Sequence, residues 1–224
     1  VTGNYIITVG RTKGKLTVTQ REVTLTSKSA AKQYDGTPLV KPVVAIAGNG
    51  FVAGEATASS TGIITKVGSV KNTIVIEEGA GFKADNYEIT KNEGTLEITK
   101  NTDTIVITAD DGTWVYDGQA HSKNTYKVAG LMAGYSAEAD ITGSITDAGA
   151  VENVVASYVI KLGEEDVTDQ FGNVTTENGT LTITKRFLEI TAENAVKTYD
   201  GTPLTAEYSI TAGSLAEGQT LDSV

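Results

Sequence analysis

The sequence predicts an all-β protein assembled from tandem copies of one small antiparallel module. Three observations carry that prediction. Tyr-Asp-Gly occurs at Tyr34-Asp35-Gly36, Tyr116-Asp117-Gly118 and Tyr199-Asp200-Gly201, spaced 82 and 83 residues apart. Apolar residues alternate with Thr in short runs, the period of a strand with one solvated face. No stretch carries the ten-residue amphipathic period of a helix, and the Ala-rich stretch after Gly54 is broken by Thr, Ser and Gly.

The elements of one repeat follow in chain order. The opening strand holds Val23 and Leu25, matched by Ile105/Ile107 and Leu188/Ile190, and it ends nine residues before each Tyr. The Asp-Gly after that Tyr is a turn: Asp bonds backbone two residues on, and Gly supplies a positive φ without steric cost. The Tyr itself is expected to plug the edge of the core. Further on, Gly62, Gly68 and Asn72 recur 81 residues later as Gly143, Gly149 and Asn153. The Asn86–Thr90 run is joined through Lys91-Asn92-Glu93-Gly94 to the closing strand around Leu96 and Ile98. This reads as a hairpin, and Asn178-Gly179 makes the corresponding turn before Leu181 and Ile183. Each repeat should therefore hold six or seven short strands. An Ig-like antiparallel sandwich is the first expectation. A β-grasp-like sheet is the alternative, disfavoured because it needs a helix.

The phasing places residues 1–20 as the C-terminal part of one repeat. Residues 21–100 and 101–185 form two full repeats, and 186–224 is the N-terminal part of another. The joins between closing and opening strands are a few residues long, and none is rich in Pro, Gly or Ser, so they are not flexible linkers. Stacked end to end, such modules form an elongated, stiff rod.

Composition narrows the chemistry. The 224 residues carry a net charge of −10 with a pI near 4.6, no Cys and one His. Without Cys there is no disulfide framework, thiol catalysis or Cys-ligated metal. With His121 alone, a His-based triad or metal cluster is not expected. The acidic balance argues against nucleic acid, whose phosphates demand clustered Lys and Arg. No run approaches a membrane span. Val1 is not an initiator Met, and the chain reads as a section of something longer.

Few residues remain as site candidates. Trp114 stands where Lys32 and Lys197 stand in the other repeats, and Tyr135 aligns with Glu55 and Gln219. Both are therefore expected at the surface, where they are the candidate ligand-binding platform for a sugar or a protein partner. Tyr126 is expected in the core and His121 as a space-filling residue. Asp110 and Asp111 are the candidate calcium ligands, with Glu164, Glu165, Asp166 and Asp169 as a second acidic group. Neither matches an EF-hand spacing, and loop turns are the competing reading. No other cofactor is expected. Lys32 and Lys197 are candidates for an intramolecular isopeptide cross-link, but Trp114 breaks their series, and solvated lysines are the plainer reading.

Lys-x-Tyr-Asp-Gly-Thr-Pro-Leu (32–39, 197–204), Val-Gly-x-x-x-Asn (67–72), Asn-Tyr-x-Ile-Thr (86–90) and Gly-Thr-Leu-x-Ile-Thr-Lys recur in one order. Together they resemble the YDG/MBG-type repeats of large bacterial surface proteins and adhesins, along the whole chain. The resemblance implies a secreted, cell-wall or outer-surface location, many tandem modules, no enzymatic activity and no catalytic residues. The middle repeat departs from the pattern, with Gln119-Ala120-His121 in place of Thr-Pro-Leu. The expected function is a non-catalytic stalk or spacer with an adhesive role; the alternative is a carbohydrate-binding module array of a secreted glycan-degrading protein. Expected partners are neighbouring repeats of the same polypeptide and a host or matrix protein or glycan. Residues 3–20 read as a closing hairpin without its opening strands, and 186–224 as the converse. Unpaired edges of that kind template another chain, which allows head-to-tail self-association.

Overall fold

The computed structural model describes residues 3–8, 10 and 13–221. They divide into two compact units, Val1–Thr99 and Lys100–Val224. Both are all-β. Helical structure among the described residues is confined to single 3-10 turns at Ala84–Asn86 and Thr168–Gln170.

In the first unit the strands are β1 (Arg21–Ser27), β2 (Ala30–Gln33), β3 (Leu39–Val40), β4 (Val44–Gly48), β5 (Ala56–Ser60), β6 (Ile63–Ile64), β7 (Gly68–Asn72), β8 (Ile74–Glu78), β9 (Tyr87–Asn92) and β10 (Gly94–Thr99). One sheet has the order β4-β1-β9 and a second β2-β10-β7, with β3-β6 and β5-β8 as short ladders beside them. The alternation read from the sequence sets the burial. Val23, Leu25, Ile74 and Tyr87 form the core of the first sheet, with Phe51, Phe82 and Ile89 packed against it. Leu96 and Ile98 are buried from the central strand of the second.

Two features depart from the expected sandwich. The first and penultimate strands pair in parallel, β1 with β9 and β2 with β10, so the sheets are mixed rather than antiparallel. The expected hairpin at 91–94 is also absent: β9 and β10 lie in different sheets. Both departures have one cause. The chain runs from β1 into β2 across a bend at Lys28-Ser29, and from β9 into β10 across a bend at Glu93. The two bent ribbons run side by side, each passing from the first sheet to the second, so the short polar segment marks a change of sheet and not a reversal. The count of ten strands, against six or seven expected, reflects the same bending, which cuts long runs in two.

The bend is crowded, and its residues are chosen by that crowding. A Cβ at Gly94 would fall 2.5 Å from the Lys28 carbonyl carbon, so only glycine lets the ribbons touch. The Gly94 amide donates to Ser27 Oγ (2.9 Å), and that hydroxyl donates to the Asn72 carbonyl (2.6 Å). Asn72 is fully buried. Its Nδ2 donates to the carbonyls of Lys28 (3.0 Å) and Lys41 (2.9 Å), and its Oδ1 accepts from the Gly62 amide (3.2 Å). One carboxamide thus satisfies three backbone groups from three loops that would otherwise be buried unpaired, an expensive state.

The second unit builds the same arrangement from the second repeat. Its strands are β11 (Ile105–Ala109), β12 (Gly112–Val115), β13 (Tyr126–Ala129), β14 (Tyr135–Thr142), β15 (Gly149–Leu162), β16 (Glu165–Asp166), β17 (Val174–Glu177) and β18 (Gly179–Thr184). Again β11 lies between an antiparallel β13 and a parallel β17, and β18 between a parallel β12 and an antiparallel β15. Asn153, also fully buried, donates to the carbonyls of Asp110 (2.9 Å) and Lys123 (2.8 Å), and Gly179 takes the place of Gly94 against Ala109 and Asp110. The unit continues with β19 (Leu188–Ala192) and β20 (Tyr208–Gly213), an antiparallel pair corresponding to β1 and β4.

Residues 3–20 do not form the expected closing hairpin: the described ones carry no strand, and Ile6, Leu16 and Val18 are almost wholly exposed. In both repeats the closing strand sits between two earlier strands of the same repeat, and no such strands precede residue 21 among the described residues. Substitution at the bend should be costly. Asn72→Ala is expected to lower unfolding stability by about 2–4 kcal/mol, because it strands three buried backbone groups. Gly94→Ala should be similarly harmful, while Gly14→Ala, with open space around it, should change stability by less than ~0.5 kcal/mol. Urea unfolding followed by circular dichroism measures all three.

Candidate functional site

In the two full repeats the Tyr-Asp-Gly turn follows the second strand, β2 or β12, and the Tyr199-Asp200-Gly201 turn lies between β19 and β20. In the first repeat Asp35 Oδ1 accepts from the Thr37 amide (2.8 Å), the Thr37 hydroxyl (2.7 Å) and Lys32 Nζ (2.6 Å), while Gly36 takes φ 77°. Lys32 Nζ also donates to the Thr37 carbonyl at 2.8 Å. Lys197, Asp200 and Thr202 repeat the pattern, with Lys197 Nζ 2.7 Å from Asp200 Oδ1. The ammonium and the two Thr bonds hold the Asp35 carboxyl down at about 2. Asp200 is lowered for the same reasons, Lys197 first.

The middle repeat reaches the same end by another route. Asp117 Oδ1 accepts from the Gln119 amide (2.9 Å), and His121 Nε2 lies 3.0 Å away. These contacts, the Gln119 bond foremost, lower the Asp117 carboxyl. His121 thus occupies the place of the lysine ammonium. Its ring stacks on Trp114 (centroids 4.8 Å apart, 21° between planes), the residue that replaces that lysine. Trp114 and His121 are a paired replacement: the indole supplies the wall, and the imidazole supplies the contact to the carboxylate.

Each turn Tyr sits differently. Tyr34 is 2% exposed, and its amide donates to the Thr99 carbonyl (2.9 Å); the Tyr116 amide makes the same bond to Thr184 (2.9 Å). Tyr116 is half-buried and borders a cleft of about 370 Å³ lined by Lys185, Arg186, Leu188, Leu215, Ala216 and others. Gln219 Nε2 donates to Tyr116 Oη (2.5 Å), and Arg186 Nη1 to the Tyr116 carbonyl (3.5 Å). Arg186 is itself held by Ser214, through the carbonyl at 2.7 Å and the hydroxyl at 2.6 Å. A Cβ at Gly118 would lie 3.6 Å from that of Ala216, so the turn of the second repeat rests directly on the 216–219 turn of the following segment. Tyr199, by contrast, is 93% exposed, although the turn around Asp200-Gly201 is formed.

The remaining candidates are distributed over the structure rather than gathered. Trp114 is half-buried and folds over Gly112, where a Cβ would fall 2.2 Å from the indole. Tyr135 is not the solvent-facing residue expected: it is half-buried, its Oη is shielded, and its ring meets Phe171 edge-on at 5.7 Å. The alignment with Glu55 and Gln219 misled because Phe171 provides an apolar neighbour for an aromatic ring. Tyr126 is half-buried and donates to the Ala137 carbonyl (3.0 Å).

Asp110 and Asp111 are bend residues of the second repeat. Asp110 accepts from the Thr125 hydroxyl (2.6 Å) and pairs with Lys127 (3.3 Å); the Thr125 bond chiefly lowers its carboxyl. Asp111 accepts from the Thr180 amide (2.7 Å), the bond that Ser29 makes to Thr95 in the first repeat (3.0 Å). Asp166 accepts from the amide and hydroxyl of Thr168, and Asp169 from Gln170. Among the described residues no three His, Cys, Asp or Glu side chains gather in a group that could hold a metal ion. Lys32 pairs with Asp35 at the surface, not with an Asn or Asp in an apolar core.

The chain matches no protein-family model and no curated protein sequence. No helix among the described residues is long and apolar enough to cross a membrane.

Sequence reasoning saw Asn72 recur as Asn153 without giving the pair a role, and it gave none to Arg186 or Gln219. Recurrence was the available signal for the first three: the Asn pair recurs in step, and Arg186 stands in the register of Arg21. The turn chemistry predicts a pH dependence. Folding depresses the Asp35 carboxyl, so its contribution to stability is complete above the ordinary Asp value near ~3.9 and is lost as pH falls toward about 2. A carbon-detected NMR titration should place its midpoint near that value, and Lys32→Met should move the midpoint upward.

Proposed function

We propose that this chain is a non-catalytic structural segment, a stalk or spacer of tandem all-β modules in a bacterial cell-surface or secreted protein, with an adhesive role for the assembly that carries it. The observation that carries the proposal is the use made of the recurring polar residues. Lys32, Asp35, Thr37 and their counterparts bond to one another within their own turns. Asn72 and Asn153 are consumed in bends. Tyr116 is held by Arg186 and Gln219 of the segment that follows. Repetition of a motif whose chemistry is spent on its own architecture and on the next segment is what a spacer requires.

The carbohydrate-binding reading rested on Trp114 and Tyr135 as exposed platforms. Trp114 stacks on His121 and Tyr135 meets Phe171 edge-on, so each ring is partly engaged by its own repeat, which favours the spacer reading.

Small-angle X-ray scattering tests the spacer reading. A stiff rod should give a radius of gyration well above the ~17 Å of a compact chain of this length. A value near ~17 Å would contradict it. On a glycan array the chain should give no signal that Trp114→Ala abolishes.

A further inference from the structure

One sheet face of the first repeat is apolar and turned to solvent. β5 and β6 run antiparallel to β8 and β7 in one register: Ser59 lies opposite Val75 and Thr57 opposite Glu77, and the Thr61 amide donates to the Thr73 carbonyl (3.0 Å). Continued, that register sets Ile63 opposite Lys71. Strand alternation buries Asn72 and Ile74 and turns Lys71, Val75 and Glu77 outward. On the other flank Val40 pairs with Ile63 and Val43 with Ser59. Four apolar side chains thus share the outer face: Val43 is 68% exposed, Ile63 59%, Val40 46% and Val75 40%.

The second repeat builds the same scaffold without this face. Lys41 and Lys123 both give their carbonyls to the buried Asn, so Val40 corresponds to Ser122 and Val43 to Thr125. Gly62 and Gly143 both press on that Asn, so Ile63 corresponds to Ser144. Ala156 stands in the register of Val75, and Glu152 in that of Lys71. The fold does not need these apolar side chains, and a cluster of them in water marks a contact surface.

We infer that this face pairs with the same face of a second copy of the chain, strands antiparallel, about a two-fold axis lying in the face and across the strands. Charge chooses the occupant. Lys71 and Glu77 stand at opposite ends of the face along one strand line, roughly 20 Å apart. Among the described residues neither side chain is paired within the chain. An axis crossing at Ile74 sets Lys71 of each copy against Glu77 of the other, with the apolar side chains between the two pairs. A face with a cation at one end and an anion at the other complements itself in this orientation. Turned parallel, it would set Lys71 against Lys71. A foreign surface of one sign would match one end and be repelled by the other.

The contact is isologous, so association stops at a pair. It is also small, so free chains pair weakly. It uses no residue near either end of the chain and differs from head-to-tail strand addition, which does not close. It stands or falls separately from the spacer reading.

Sedimentation equilibrium on the whole chain tests it, with Lys71→Glu, Glu77→Lys and Ile63→Asp as variants. All three positions are exposed, and circular dichroism verifies that each variant is folded. The wild-type mass should rise from monomer to dimer, and no further, as concentration approaches about 1 mM. Each charge variant alone should pair at least about tenfold more weakly, because like charges then meet at both ends. An equimolar mixture of Lys71→Glu and Glu77→Lys should recover the dimer, since both ends of the mixed pair again join opposite charges. Ile63→Asp should stay monomeric. A wild-type chain that is monomeric throughout overturns the inference. So do association that continues past the dimer, variants that pair like wild type, and a mixture that recovers nothing.

Discussion

Everything in this fold leans on the buried carboxamide at the bend of the paired ribbons. Two ribbons that change sheets side by side bring backbone carbonyls and amides together where neither ladder can reach them. Asn72 and Asn153 answer that need, with both Nδ2 hydrogens given to carbonyls from different loops. A buried amide that satisfies loop backbone specifies one geometry, since any slip leaves polar groups unpaired. Gly94 and Gly179 are the steric side of the same constraint, because only glycine lets the ribbons approach. From the bend outward, the opening strand lies central in one sheet, the closing strand lies central in the other, and the Tyr-Asp-Gly turn follows the second strand.

The repeats solve one problem with different side chains. Lys32 and Lys197 hold their turns with an ammonium; the middle repeat uses His121 propped by Trp114. Ser29 and Asp111 accept from the same backbone position with a hydroxyl and a carboxylate. These exchanges explain why single positions in the sequence misled. The acidic pair Asp110 and Asp111 sits at the bend, and Trp114 stands as a wall against His121.

What could be read in the sequence follows from what depends on local pattern. The opening strands around Val23, Ile105 and Leu188 and the Asp-Gly turns were visible because alternation and turn chemistry act over two to four residues. The parallel pairing of β1 with β9 was invisible, because those strands lie more than sixty residues apart and either strand direction yields the same alternation. The segment at 91–94 was misread for a related reason, since a polar stretch ending in Gly serves a reversal and a bend equally well. The Asn recurrence was seen but its role was not, as the carbonyls it reaches are named only by the fold. Tyr135 was misplaced by an alignment blind to Phe171.

Native-state hydrogen exchange on the Gly62 and Gly94 amides tests the bend most directly. Gly62 donates to Asn72 and Gly94 to Ser27, both through side chains rather than ladders. If the bend carries the fold, the two amides exchange only through global unfolding, with protection equal to that of the buried opening strand. If they exchange at the rate of surface loops while Leu25 stays protected, the bend opens independently and the fold does not depend on it.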